Sequence, residues 1–278
     1  MLPSTLVHLS DIHIGRSPMD EQRAQAFVDR LQSNRVDHVV VTGDLTNRGR
    51  RPELQRFREI FAPLQRTGKL TLVPGNHDRL GHDVAGEIQN GPRVQTRTTG
   101  GLHFIRFDST GPHNRSWLAS YGMMTAKDVQ DITAAVNAAP ANHLVTLLLH
   151  HHPLPLPEDS PAELVSTWLG WRWTAELELG WSMLRAIAGK CDLVLHGHRH
   201  TPRAFKLFED SARPMALFNA GSTTELDAAR LFSHSDGKLT GQPVWLGNAA
   251  SATRPQRPAA IRPAPPRAQV VVPAWSPA

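Results

Sequence analysis

Five short polar clusters, each placed directly after an apolar run, constrain this chain more than any other feature. They are Asp11-Ile12-His13, Gly43-Asp44, Gly75-Asn76-His77-Asp78, His150-His151-His152-Pro153 and His196-Gly197-His198-Arg199-His200. The runs before them, 6–9, 39–41, 70–73, 147–149 and 193–195, are of strand length and dominated by Leu and Val. In an α/β sheet the carboxyl ends of strands gather along one edge, where sites form. Clusters far apart in the chain are therefore expected to converge.

The rest of the chain fits that frame. Strand-like runs fall at 6–9, 38–42, 70–73, 102–107, 144–149, 192–196, 204–208 and 215–218. Helical spacing separates several of them, over 21–32 (Ala24, Phe27, Val28, Leu31) and 52–64 (Leu54, Phe57, Ile60, Phe61), with 127–138 and 180–188 as two more. Alternating strands and helices predict an α/β domain, and the spacing of the later strands predicts a second sheet. At 278 residues, the chain holds one large domain or two small ones. Its lone cysteine, Cys191, excludes an internal disulfide and a cysteine-only zinc site, and reads as an inert buried thiol. No basic segment precedes a long apolar stretch, and no window approaches the length of a membrane span. The expectation is a cytoplasmic protein without membrane association.

Aspartate, asparagine and histidine together are donors for transition metals. Asp-x-His sends alternate side chains to one side of an extended segment, and His198-Arg199-His200 does the same with two imidazoles. Gly43 and Gly197 allow tight turns beneath the site. Asp44 offers two oxygens that could bridge two cations, while Asn76 supplies a neutral one.

In this order and strand setting, D-x-H, G-D, G-N-H-D, H-x-P and G-H-x-H resemble the calcineurin-like metallophosphoesterase family, from Asp11 to His200. The flavour is closest to its class III cyclic-nucleotide phosphodiesterase branch. The resemblance implies a four-layer αββα sandwich, two mixed β-sheets flanked by helices. It implies two metal ions, manganese, iron or zinc. The first would be held by Asp11, His13, Asp44 and His200, and the second by Asp44, Asn76, His151 and His198. The family's H-x-P spacing selects His151 among three histidines, leaving His150 and His152 as structural support or as partners of ligands. His77 would face substrate as the leaving-group acid, oriented by Asp78. The implied reaction is attack of a metal-activated hydroxide on a phosphodiester, with a small diester or cyclic nucleotide favoured. A nuclease or phosphomonoesterase of the same family is the alternative, and a non-catalytic scaffold is the alternative of another class.

Other residues carry plainer readings. His8, His38, His82, His103, His113, His143 and His234 read as core or surface, and His196 as structural. Arg79 reads equally as a phosphate contact and as solvated. The turn 219–224, Asn-Ala-Gly-Ser-Thr-Thr, is similar to a late family turn that closes the site edge. A catalytic domain over 1–250 is expected, with a cap at 153–181 carrying Trp168, Trp171, Trp173 and Trp181. The tryptophans read as core or interface before substrate platform. Glu158, Asp159, Glu163, Glu176 and Glu178 argue against long nucleic acid over that face. The tail 251–278 has seven prolines, four arginines and no acid, a composition expected to be disordered. Its arginines account for +4 of the net charge of +5, so the body is near neutral. Nucleic acid is therefore not favoured as a partner. The apolar end 270–275 could dock on its own domain or on another copy in a homo-oligomer.

Overall fold

The computed structural model describes residues 3–156 and 177–247. The expected tail, and the cap segment with Trp168, Trp171 and Trp173 and its acids other than Glu178, lie outside the described residues. Two six-stranded sheets form the centre. In the first, β1 (Ser4–Leu9), β2 (His38–Thr42) and β3 (Leu70–Val73) run parallel. It is extended antiparallel by β10 (Ala228–Ser235), which pairs with β1, β11 (Lys238–Leu239) and β12 (Val244–Gly247). In the second, β5 (Leu102–Phe107), β6 (Leu144–Leu148), β7 (Leu193–His196) and β9 (Met215–Asn219) are parallel neighbours. Antiparallel β4 (Val94–Thr99) and β8 (Arg203–Leu207) form its edges.

Three apolar layers hold these sheets, and the two faces of each strand explain them. On β1 and β2, Val7, Leu9, Val39 and Val41 face α1 (Pro18–Ser33) and α2 (Arg51–Arg66) through Phe27, Leu31, Phe57 and Phe61. On β6 and β7, Val145, Leu147 and Val194 face α4 (Ala126–Asn137) and α5 (Gly180–Ala186) through Ile132, Val136, Met183 and Leu184. The alternate residues Leu6, Val40, Leu144, Leu148, Leu193 and Leu195 meet between the sheets with Phe104, Phe218 and Phe232. Helix, sheet, sheet, helix is the four-layer order expected. Parallel strands covered on both faces must be apolar on both, hence the continuous runs in the sequence. Trp181 packs against the outer layer of the second sheet, stacked on Phe208, as a core residue does.

Helix boundaries follow their caps. The Ser17 hydroxyl accepts from the Asp20 amide and Pro18 fills the first turn, so α1 begins three residues before the apolar periodicity. Thr125 and Asp128 form a reciprocal box at α4, with Asp128 Oδ2 accepting from the Thr125 amide at 2.8 Å. A short helix, α3 (Ala85–Ile88), follows β3, and another, α6 (Thr223–Leu226), follows β9. Among the described residues, no helix is long and apolar enough to cross a membrane.

Candidate metal centre

All five clusters leave the carboxyl ends of parallel strands, three from the first sheet and two from the second. Backbone bonds hold the loops together: Asp11 N–H donates to Gly43 O (3.1 Å), His13 N–H to Asp44 O (3.0 Å) and Gly197 N–H to His150 O (3.1 Å). The 219–224 turn stitches the sheets at this edge. Thr223 N–H donates to Ser10 O (3.0 Å), and the Ser222 hydroxyl to Asp11 O (2.9 Å). That is the edge-closing place expected for it.

The local backbone differs from expectation. Asp11 and His13 are not an extended pair: both are left-handed, at φ 53°, as are Asp44 (51°) and His198 (71°). Left-handed non-glycine residues cost energy and cluster at sites that the surrounding structure over-determines. Here the loop bonds impose the turn that aims each side chain inward. Gly43 has φ +93°, and a Cβ there would run into the His150 ring. Gly43→Ala is expected to destabilise the fold by more than about 1 kcal/mol and to weaken metal binding, checked by thermal melts with and without metal.

Two donor groups share Asp44. Around one, Asp11 Oδ1 lies 3.6 Å from His200 Nε2 and 3.9 Å from His13 Nε2, and the two imidazole nitrogens are 3.3 Å apart. Asp44 Oδ2 lies 3.9 Å from His13 Nε2 and 3.4 Å from His150 Nε2, so it faces both groups. Around the other, Asn76 Oδ1 is 3.0 Å from both His150 Nε2 and His198 Nδ1. The set suits two transition-metal cations. Asp11 Oδ1 is buried without a hydrogen-bond partner, and each group mixes carboxyl or amide oxygen with imidazole.

Burial, the largest effect, holds His13 down at about 3 and His198 well below the usual histidine range, so both present neutral nitrogens. Burial would also lower His150, but Asp44 and Asp11 outweigh it and hold it at about 9. A group raised above its unfolded value stabilises the fold below about pH 6.5, and that contribution is lost as pH rises through about 9. The chelated protein is therefore expected to lose melting temperature across that window; melts in chelator at stepped pH check this.

Two expected roles shift. His151 was the expected ligand, but His150 is the histidine brought against Asp44 and Asn76. His150 Nδ1 donates to Thr42 O (2.8 Å), which aims Nε2 at the site. His151 Nε2 lies 2.9 Å from Ser120 O and its Nδ1 2.9 Å from the Ser109 hydroxyl, while a ring nitrogen of His151 also lies within 4.8 Å of donor atoms of His150 and His198. Asp78 does not orient His77. It accepts from Thr46 N and Oγ1 (2.9 and 2.7 Å) and from Gly75 N (2.9 Å), bracing the loops after β2 and β3. Burial first, and then Asp44, push its carboxyl up to about 6.

His77 is oriented from elsewhere. Its Nδ1 donates to Asn47 O (2.7 Å) and its amide to Asp44 Oδ1 (2.8 Å), and a ring nitrogen lies within 4.8 Å of donor atoms of His13 and Asp44. Arg79 is partly exposed and bridges Asp108 (2.6 Å), Thr110 (2.7 Å) and Asp83 (3.2 Å). Burial and Asp192 push the Cys191 thiol up to about 12, as an inert group requires.

Three contributors escaped the sequence reading. Ser109 lies in Asp108-Ser109-Thr110 after β5, a sixth polar cluster at a parallel strand end, and the same rule would have found it. Asn47 acts through its carbonyl, which no side-chain pattern reveals. Glu225, one residue beyond the 219–224 turn, meets His200 Nδ1 at 3.1 Å.

Comparison with known proteins agrees with this geometry. The calcineurin-like phosphoesterase family model matches residues 4–202. The chain is similar to the "Probable cyclic nucleotide phosphodiesterase" of Vesicomyosocius okutanii subsp. Calyptogena okutanii (strain HA), at 22% identity over 87% of this chain and 99% of the relative. It is also similar to the glycerophosphodiester phosphodiesterase GpdQ of Enterobacter lignolyticus (strain SCF1), at 28% identity over 72% of this chain and 73% of the relative. A crystal structure of a dimetal phosphatase from Danio rerio shares the fold, with a TM-score of 0.60 at 11% identity over 89% of this chain and 99% of that one. Fold, strand-end clusters and family match coincide: the chain belongs to the calcineurin-like phosphoesterase family of metal-dependent phosphoester hydrolases.

Proposed function

We propose that the chain hydrolyses a small phosphodiester, of the cyclic-nucleotide or glycerophosphodiester class. The observation that carries this reading is the pair of donor groups sharing Asp44, with His77 held beside them. One cation would be held by Asp11, His13, Asp44 and His200, and the other by Asp44, Asn76, His150 and His198. Such ions, when bound, polarise a phosphoryl group and offset the charge growing on its oxygens; manganese, iron and zinc all suit these donors.

The remaining work falls to the chain itself. Asn47 O accepts a hydrogen bond from the His77 Nδ1–H, so Nε2 is the nitrogen from which a proton would pass to the leaving oxygen. The Asp44 carboxylate, bonded to the His77 amide, keeps this ring in register with the ligands. Asp78 fixes both loops at once. The names of the two relatives above support a diester substrate.

The test is turnover of bis(p-nitrophenyl) phosphate, 3′,5′-cyclic nucleotides, a glycerophosphodiester, p-nitrophenyl phosphate and single-stranded DNA, with metal content measured on the same sample. Diester turnover well above monoester and DNA turnover is expected. Preference for the monoester or for DNA would overturn the substrate class. No turnover at two bound ions would establish a non-catalytic scaffold instead.

A further inference from the structure

We infer that Glu225 is a positioning residue for the Asp11 side of the metal centre, acting through His200. The inference rests on the dinuclear reading above. His200 is the outlying member of its group: its side chain is 41% exposed, against 3% for His13 and 0% for Asp11. An imidazole at the surface rotates freely unless its distal nitrogen is tied. Glu225 ties it, with both carboxylate oxygens 3.1–3.2 Å from His200 Nδ1. Nδ1–H thereby donates to the carboxylate, and Nε2 is the nitrogen turned toward Asp11 and His13.

Glu225 is itself held on two sides. Its amide is capped by the Ser222 hydroxyl (3.4 Å), the same hydroxyl that donates to Asp11 O. Its carboxylate is paired with Arg16, which makes two 2.9 Å bonds to the buried Asp20 at the start of α1. Arg16 follows His13 by three residues, so the loop that carries two ligands also carries the clamp on the partner of a third. His150 makes the equivalent bond to a neutral carbonyl, its Nδ1 donating to Thr42 O. A carboxylate in that place orients the ring and raises its basicity, and removing such a partner typically weakens metal binding about 10–100-fold.

The experiment uses the full chain, stripped of metal and titrated with manganese against a competing chelator. Stoichiometry, the two dissociation constants and the electron paramagnetic resonance spectrum are read. Wild type is expected to bind two ions with a spin-coupled spectrum. E225A is expected to lose roughly 10–100-fold affinity for one ion and to show an uncoupled signal at manganese concentrations that fill both wild-type sites. E225Q keeps an acceptor oxygen and falls between, and R16A weakens the same ion by freeing the carboxylate. Melts of the stripped variants separate folding from metal binding, and E225Q serves if E225A does not fold. Wild-type affinities for both ions in folded E225A or E225Q would overturn the inference alone. Fewer than two ions bound by wild type would overturn the dinuclear reading, and this inference with it.

Discussion

Asp44→Asn is expected to release both cations and to lower diester turnover by about 10³-fold or more, the scale of several kcal/mol of transition-state stabilisation. The Asp44 carboxylate lies among donor atoms of both groups. Its Oδ2 lies 3.4 Å from His150 Nε2 and 3.9 Å from His13 Nε2, and it is the negative group that both share. An amide keeps the shape and removes the charge. The substitution also removes the partner that holds the His150 proton, so the fall in stability of the chelated protein between about pH 6.5 and 9 should flatten in Asp44→Asn. Metal analysis and stepped-pH melts on one preparation check both consequences. Retention of two ions at wild-type affinity would show that the carboxylate does not bridge.

His77→Ala is expected to act oppositely on metal and turnover. Both ions should stay, because His77 belongs to neither proposed ligand set. Hydrolysis of a diester with an alkoxide leaving group should fall by about 10²–10⁴-fold, the contribution of a positioned general acid. A p-nitrophenolate leaving group needs little protonation, so bis(p-nitrophenyl) phosphate should lose far less. The ratio of the two losses is the measurement. Equal losses would reduce His77 to a structural residue whose ring steadies the loop after β2 through Asn47 O, 2.7 Å from Nδ1. Unchanged hydrolysis of the alkyl diester would remove the acid role altogether.

How far the sequence could be read depended on which faces of each element are buried. β1, β2, β3, β5, β6, β7 and β9 were legible because neighbours cover both sides of these parallel strands, leaving runs such as Val39-Val40-Val41. β4 reads Val-Gln-Thr-Arg-Thr-Thr and, among the described residues, is an edge strand paired with β5 alone, so no continuous apolar run marks it. β10 carries Arg230 and His234 on its inner side, and that polarity hid a strand central to the first sheet.

The same division runs through the site. Asp11, His13, Asp44, Asn76, His77, His198 and His200 were legible because each stands at a strand end, and the carboxyl ends of parallel strands must share an edge. The place of His150 against Asp44 and Asn76 was not. It depends on how the two neighbouring rings are turned, and that is set by bonds to Ser109, Ser120 and Thr42, which come from other loops. The left-handed backbone of Asp11, His13 and Asp44 was equally hidden, since cross-loop bonds impose it against local preference.

What the sequence by itself determined is therefore the layered α/β fold, the family and the set of metal-binding residue types, all of which rest on local pattern and order along the chain. Only the tertiary structure decided that His150 lies against Asp44 and Asn76, that Asp78 braces loops and leaves His77 to Asn47, and that Glu225 meets His200. Each of those is a hydrogen-bond partnership between segments remote in sequence, and such partnerships exist only once the two sheets have packed.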